Sequence, residues 1–491
     1  MRGVMRRLWA GRRGRAWLTV VAGVGLCGIA ASAGAVGTGA SDPYVFAEGA
    51  QNVRGTQGGT GAPRLTTGET YQSSLGAGAS ATAHYRVALD GAANAYVSVV
   101  AVPPLGSGVK AASSDGVTVT LQDQGGNECD SQRATFRSGA YPRPVAAVVE
   151  RLVKTGGLRC QSAGIYDVAV ERVAESDSTG GTWGLELKVA TEPGLVTPAT
   201  SEDPRTSPSA TVRPPSGAGT QRTGGTGFND ARALSEGAWK DRVGPGQSHF
   251  FRVPVDWGQQ LSVDAELSSS AERSAHEGGV SSAFDVRLYN PARAPVTAKD
   301  AAYEDDPASV TLDPLPPVAY ENRYQSHEDR AAMRFAGWYY LEVTVNPAVA
   351  QKLGDKAPLV TLRVTVGGSA VQPPDYVREA GDFQITEADR KAAENGAGGA
   401  VWEDLEVAQG GASGGSADEK GGRGESDGSS GAGSADAGSS SGAGSASSSS
   451  TSPGSAVMTV IGVAGIGTGT ALLLWLAVWR VVAVRRVRVR N

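Results

Sequence analysis

The chain carries one pattern twice. Ala163-Gly164-Ile165-Tyr166-Asp167-Val168-Ala169-Val170 returns as Ala336-Gly337-Trp338-Tyr339-Tyr340-Leu341-Glu342-Val343. Tyr71, Leu75, Gly76, Gly78 and Tyr85-Arg86-Val87 are matched in the same order by Trp239, Val243, Gly244, Gly246 and Phe251-Arg252-Val253. Whatever fold one copy adopts, the other must share. The matched segments alternate or are β-branched, which is strand and not helix chemistry. Glycine, at 68 of 491 residues, is about twice its usual ~7% share, so long stretches outside the copies are not built to fold.

The fold class that follows is all-β, with two tandem sandwiches and one C-terminal transmembrane helix. In copy one, strands are expected at Ala83 to Leu89, Ala95 to Val102, Val117 to Leu121, Ile165 to Val173 and Trp183 to Val189. In copy two they are expected at His249 to Val255, Leu261 to Leu267, Phe284 to Tyr289, Trp338 to Val345 and Leu359 to Val366. Asp90-Gly91 and Asp115-Gly116 are turn signals beside such strands. The organisation reads as a signal peptide over 1–40, a polar segment over 41–66 and the first sandwich over 67–190. A Pro/Ser/Thr linker over 191–226, expected to be an extended spacer, leads to the second sandwich over 227–367. A Gly/Ser-rich stalk follows over 368–455. It holds a short helix, opened by a capping box at Thr386-Glu387-Ala388-Asp389, and one apolar island, Val401 to Val407.

The two ends set the expected location. Arg2, Arg6, Arg7, Arg12, Arg13 and Arg15 precede an apolar run from Trp17 to about Ala31, then small residues with Ala31-Ser32-Ala33 and Ala33-Gly34-Ala35. This is an export signal, with an uncleaved signal anchor as the alternative. At the other end, residues 456–479 are uncharged and apolar, long enough to cross ~30 Å of hydrocarbon. Arg480, Arg485, Arg486, Arg488 and Arg490 follow in the tail over 480–491. The positive-inside rule then places the tail in the cytoplasm and the sandwiches outside a single-pass membrane protein. The lipid bilayer is thus one expected partner. A disordered stalk of about 60 residues would average only ~40–45 Å end to end.

Charge and cysteine usage narrow the chemistry. Eleven of the 45 basic residues lie in the two end segments, leaving 34 against 50 acids, a net of about −16. That argues against nucleic acid as a partner. Cys129 and Cys160 remain after signal removal, and in an exported chain they most simply form a disulfide. Copy two has no cysteine, so the bridge is not part of the shared plan.

No catalytic constellation stands out, and the chain does not read as an enzyme. His84 and His249 hold similar places in the two copies, each just before the aromatic-Arg-Val strand, which fits a structural role. His327-Glu328 lacks the second histidine of a zinc-protease helix. Asn229-Asp230, Asp256, Asp264, Asp285 and Glu304-Asp305-Asp306 are hard oxygen ligands near loops, but no spacing matches a calcium loop. No cofactor and no metal is therefore expected. The candidate binding residues are aromatic: Tyr320, Tyr324, Trp338 and Tyr340, near the proline-rich run Leu315-Pro316-Pro317. Exposed Tyr and Trp favour sugars or protein partners, although alternation demands that Trp338 or Tyr339 point inward.

The order Phe228-Asn229-Asp230, Gly237 to Trp239, Val243-Gly244-Pro245-Gly246, Phe250-Phe251-Arg252-Val253, Phe284 to Tyr289 and Ala336-Gly337-Trp338-Tyr339 resembles the bacterial pre-peptidase C-terminal domain. That resemblance implies a jelly-roll-like β-sandwich and a non-catalytic accessory role. Copy one lacks a match to Phe228-Asn229-Asp230. Further segments, Pro43-Tyr44-Val45-Phe46 onward, Thr226 to Ala231 and Arg252 to Leu261, are similar to actinomycete surface proteins that also carry a von Willebrand factor A domain. That domain and its metal motif are absent from this sequence, so metal-dependent adhesion is not implied. Together these readings point to a membrane-anchored surface protein whose two modules bind a cell-wall glycan or a surface protein. The alternative is a scaffold or accessory subunit of an envelope complex.

Overall fold

Ten strands form each copy, and the two sets correspond one to one. In a computed structural model describing residues 43–106, 108–154, 156–197, 214–269, 278–354 and 356–396, each copy is a pair of five-stranded sheets. Numbered along the chain, the first sheet of sandwich one runs β1 (Gln51–Asn52), β3 (Thr70–Leu75), β10 (Trp183–Glu192), β5 (Asn94–Val102), β8 (Val145–Arg151). Its second runs β2 (Arg64–Leu65), β4 (Thr82–Leu89), β9 (Gly164–Val173), β6 (Gly116–Gln122), β7 (Glu128–Thr135). In sandwich two the first sheet is β11 (Thr220–Gln221), β13 (Gly237–Arg242), β20 (Leu359–Gly367), β15 (Gln260–Leu267), β18 (Ala308–Thr311). The second is β12 (Arg232–Ala233), β14 (Ser248–Val255), β19 (Gly337–Val345), β16 (Val280–Tyr289), β17 (Pro295–Tyr303). Adding ten to every strand of sandwich one reproduces sandwich two.

Register is repeated as well as order. Tyr85 lies opposite Val168 and Val87 opposite Tyr166; in the second copy Phe251 lies opposite Leu341 and Val253 opposite Tyr339. Period-two alternation puts these side chains into the sandwich cores. The repeated tyrosine has one task in both places. Tyr166 donates its hydroxyl to the Ser162 carbonyl at 2.7 Å, and Tyr339 donates to the Phe335 carbonyl at 2.9 Å. A buried ring is thereby packed while its polar end is satisfied. Gly337 is required for a different reason: at φ +143° a Cβ would come within 2.6 Å of the Asp382 carbonyl. Gly116, from the Asp-Gly turn, would place a Cβ 1.9 Å from the Ala134 carbonyl.

His84 and His249 are not equivalent. Register aligns His84 with Phe250, one residue away from His249, so the two histidines stand on opposite faces of their strands. His249 is buried with its ring 2.6 Å from Asp241. Cys129 and Cys160 form the expected disulfide, with Cα atoms 5.7 Å apart and a separation of 31 residues. It ties β7 to the loop before β9, and the chain-entropy account gives it roughly 3–4 kcal/mol.

The sandwiches pack against each other directly. Alternate residues of β5 go two ways: Val97, Val99 and Ala101 enter the core of sandwich one, while Tyr96 and Val100 enter apolar clusters shared with sandwich two. Sheet β1-β3-β10-β5-β8 therefore has both faces covered, and it packs against sheet β12-β14-β19-β16-β17. One shared cluster holds Tyr44, Val100, Ala146, Phe228, Phe250 and Tyr289; the other holds Tyr96, Val148, Phe335 and Phe383. Each fully buried side chain of this size contributes roughly 1.5–3 kcal/mol.

This arrangement changes two readings. Residues 43–66 belong to sandwich one: Tyr44 is buried between the sandwiches, and β1 and β2 extend its sheets. Residues 368–396 fold back onto the body, placing Ala380 and Phe383 in the shared cluster and ending in α3 (Glu387–Asn395), which follows α1 (Glu328–Ala331) and α2 (Ala350–Leu353). The capping box is formed: Thr386 accepts from the Asp389 N–H, and Asp389 accepts from the Thr386 N–H. The expected signal peptide, linker residues 198–213, the Val401–Val407 island, the expected stalk beyond 396, the expected 456–479 helix and the basic tail lie outside the described residues. Among the described residues, no helix is long and apolar enough to cross a membrane.

Candidate functional site

Strand β10 of sandwich one alternates leucines toward its own core with polar residues toward sandwich two. Glu186 on that outward face is 0% exposed, and a carboxylate there needs partners. It has four, making five hydrogen bonds: the Tyr44 hydroxyl at 3.2 Å, the Ala47 N–H at 2.9 Å, the Asn229 amide at 2.8 and 3.0 Å, and Arg293 at 2.5 Å. Arg293 sits at φ 65° in the β16–β17 turn and also donates to the Asn229 side-chain oxygen at 2.9 Å. Its guanidinium lies over the Phe228 ring at 5.0 Å. Asp230 meanwhile accepts from the Thr226 and Gly227 N–H groups, fixing the turn that presents its two neighbours. Phe228-Asn229-Asp230 is thus a docking element for the preceding sandwich. Sandwich one carries no equivalent of this motif.

Glu192, at the end of β10, repeats the arrangement. It receives Arg323 at 2.7 and 3.1 Å, Asn94 at 2.8 Å, Tyr96 at 2.9 Å and Tyr376 at 2.8 Å. Burial alone would raise its pKa, but the Arg323 charge and the hydrogen bonds from Arg323, Asn94 and Tyr376 hold it below the ordinary carboxylate value. Burial and the Glu192 charge push the Tyr96 and Tyr376 hydroxyls up. A third pair joins Glu150 of β8 to Arg334. In all three pairs, two of them buried and the Glu150 pair partly so, sandwich one supplies the acid and sandwich two the arginine. Glu342 on β19 faces the interface from the other side; burial is the main cause that raises its carboxyl, against the opposing charges of Arg287 and Arg143.

Where the facing sheets end, they splay into a groove of about 520 Å³. One wall is β7 and β8 of sandwich one; the other is the β16–β17 hairpin with α1 of sandwich two. β7, β8 and β17 are each the last strand of a sheet. Arg133 and Arg137 are exposed on the β7 side, and Glu328 on the α1 side. The Arg334–Glu150 pair lies on the groove wall, so the site exists only when the sandwiches are docked.

The four aromatic candidates occupy three separate places. Tyr320 lines a second hollow of about 430 Å³ with Trp257, Pro317 and Pro374, and Arg323 covers one side of its ring at 3.4 Å. Tyr324, on the same 3-10 turn, is 37% exposed. Trp338 donates to Asp389 of α3 at 3.0 Å and is stacked by Arg252 at 4.4 Å. Tyr340 packs edge-on against Phe228, 5.2 Å away, in the inter-sandwich cluster. Trp338 and Tyr340 are committed to internal contacts, and the four do not make a common face.

The acids and arginines of the interface escaped the sequence reading for a physical reason. In Trp183-Gly184-Leu185-Glu186-Leu187-Lys188 alternation identifies an outward face, and an outward glutamate resembles a solvated one. The one available signal was Phe228-Asn229-Asp230, present in a single copy.

No protein-family model matches the chain, and no curated protein matches it. Similar solved structures include the N-terminal CBM22-1-CBM22-2 tandem domain of Paenibacillus barcinonensis Xyn10C, at 11% identity over 61% of this chain and 87% of that one, with a TM-score of 0.17. The tandem CBM51 modules of Sp3GH98, a family 98 glycoside hydrolase from Streptococcus pneumoniae, are 10% identical over 59% and 82%, with a TM-score of 0.15. Tripeptidyl peptidase 2 is 12% identical over 67% of this chain and 28% of its own, with a TM-score of 0.21. Scores this low support neither a shared architecture nor a shared activity.

Proposed function

We propose that this chain is a non-catalytic, single-pass membrane protein that displays two jelly-roll-like sandwiches outside the cell and binds a surface partner in the groove between them. One observation carries the reading: the 520 Å³ groove has walls from both copies, so the docking of the repeat creates a site that neither copy has alone. Binding sites concentrate at such domain interfaces. Export and anchoring rest on the basic-apolar N-terminus and the 456–479 run with its arginines. The partner is a cell-wall glycan or a surface protein. The scaffold reading draws on the buried Arg–Glu pairs, which make the tandem copies one stiff body suited to holding other subunits at a fixed spacing.

The test is co-sedimentation of the full-length protein with isolated cell walls, before and after protease stripping. A glycan partner retains the protein on both preparations, and a surface-protein partner only on the unstripped one. Retention on neither overturns the binding reading and leaves the scaffold.

A further inference from the structure

We propose that the hollow beside Tyr320 takes a proline-rich, basic segment of a partner protein in the extended polyproline II conformation. The hollow, about 430 Å³, shares no lining residue with the inter-sandwich groove and is a second site. Two segments that run out of the sandwiches meet beside it. The Val196 N–H donates to the Asp375 carbonyl at 2.8 Å and the Val377 N–H to the Gly194 carbonyl at 3.0 Å, which pins one segment to the other. Val371 lines the hollow and is 58% exposed, and Val196 and Val377 are exposed on the pinned segments. These are three of the seven large apolar side chains exposed among the described residues, and such clustering marks a contact surface. Trp257, Pro317, Tyr320 and Pro374 supply rings and prolines to the same lining.

The free donors suit a peptide backbone. A polyproline II helix makes no internal hydrogen bonds, so its carbonyls take donors from the aromatic groove it lies in. Trp257 is 3% exposed, yet its indole N–H meets no acceptor among the described residues. The Tyr320 hydroxyl likewise meets none among them. A sugar fits less well, because it stacks on an open ring face; Trp257 is buried, and Arg323 covers one side of Tyr320. Charge sets the preference among peptides. Glu321 and Asp375 are exposed on the lining, and neither is paired with a base among the described residues. Arg323 is committed to Glu192. The rim is therefore complementary to a cationic ligand.

The experiment titrates the full-length protein into a labelled oligoproline peptide with arginines at both ends, read by fluorescence anisotropy. The peptide should bind, and exchanging its arginines for glutamates should weaken it about fivefold. Tyr320→Phe, which keeps the ring and removes one donor, should weaken it about threefold. Glu321→Lys with Asp375→Lys, both at exposed positions, should reverse the charge preference while the melting curve stays unchanged. A misfolded variant would lose both peptides, whereas this one gains the glutamate form. Absence of binding overturns the proposal. Equal affinity for a peptide with alanine in place of proline overturns it too, since the polyproline II shape would then carry nothing. Displacement of the peptide by soluble cell-wall glycan would make the hollow a sugar site and also overturns it. None of these results bears on the groove, which sedimentation with walls tests independently.

Discussion

Sandwich one and sandwich two share ten strands, one topology and one register, yet they treat charge in opposite ways. In the three Arg–Glu pairs across the interface, sandwich one supplies a glutamate from a strand and sandwich two an arginine from a loop or turn, while Glu342 of sandwich two is buried against the charge of Arg143 from sandwich one. Glu186, Glu192 and Glu150 lie on strands, whereas Arg293, Arg323 and Arg334 lie between them. The difference teaches how a repeat becomes a single body. The residues the copies share build each sandwich, and the unshared ones join the two.

The sharpest way to break this contrast is to remove one arginine. Arg293→Ala leaves Glu186 buried beside Tyr44 and Asn229 without its cation, a change expected to cost about 3–5 kcal/mol. Arg293→Met with Glu186→Leu removes both charges but should recover only part of that loss, because the Tyr44 hydroxyl, the Ala47 N–H and the Asn229 amide then lose their acceptor. Urea denaturation of the wild type and the two variants is the measurement. Equal midpoints for wild type and Arg293→Ala would show that the pair does not hold the sandwiches together.

How far the contrast was legible depends on strand position. The five strands expected in each copy are β4, β5, β6, β9 and β10, and their equivalents β14, β15, β16, β19 and β20. These fill the sheet centres, where side chains must alternate between core and the other face. The strands missed are the same five in each copy. β1, β2, β11 and β12 have two residues apiece and borrow their geometry from a neighbour; β7 is polar and largely exposed. No periodicity can show in such segments. The candidate site was less legible still. Alternation reveals which residues face outward, but what covers them depends on a second surface far away in sequence. The polar look of 43–66 and the prolines of 191–226 suggested tails and spacers, while Tyr44 and the docked sheets are what the fold uses.

A smaller effect tests what the copies share. Tyr166→Phe and Tyr339→Phe each remove one hydroxyl donated to a carbonyl four residues upstream. Each should cost about 1 kcal/mol, with the larger value at Tyr339, which is more deeply buried, since an orphaned buried acceptor carries the desolvation penalty. Thermal melts of the two variants give the comparison. A loss confined to one of them would mean that the repeated tyrosine has different jobs in the two sandwiches.

The smallest effect separates the interface carboxylates by the sign of their response to pH. Glu192 in sandwich one is held below its ordinary pKa, chiefly because Arg323 and the surrounding donors outweigh burial. Its contribution is therefore present above the ordinary carboxylate pKa and lost as pH falls through its lowered value. Glu342 in sandwich two is raised, because burial outweighs Arg287, Arg143 and the Tyr289 hydroxyl. Its contribution is present below the ordinary value and lost as pH rises through the raised one. Relative to wild type, Glu342→Gln should thus gain stability as pH rises across that window and then level off. Glu192→Gln should lose most at neutral pH and progressively less in acid. Urea midpoints of the two variants, followed from acid to neutral pH, should give differences of opposite slope. Parallel slopes would mean that the two sides of the interface carry their charge in the same way, and the division of labour between acid and arginine would not extend to protons.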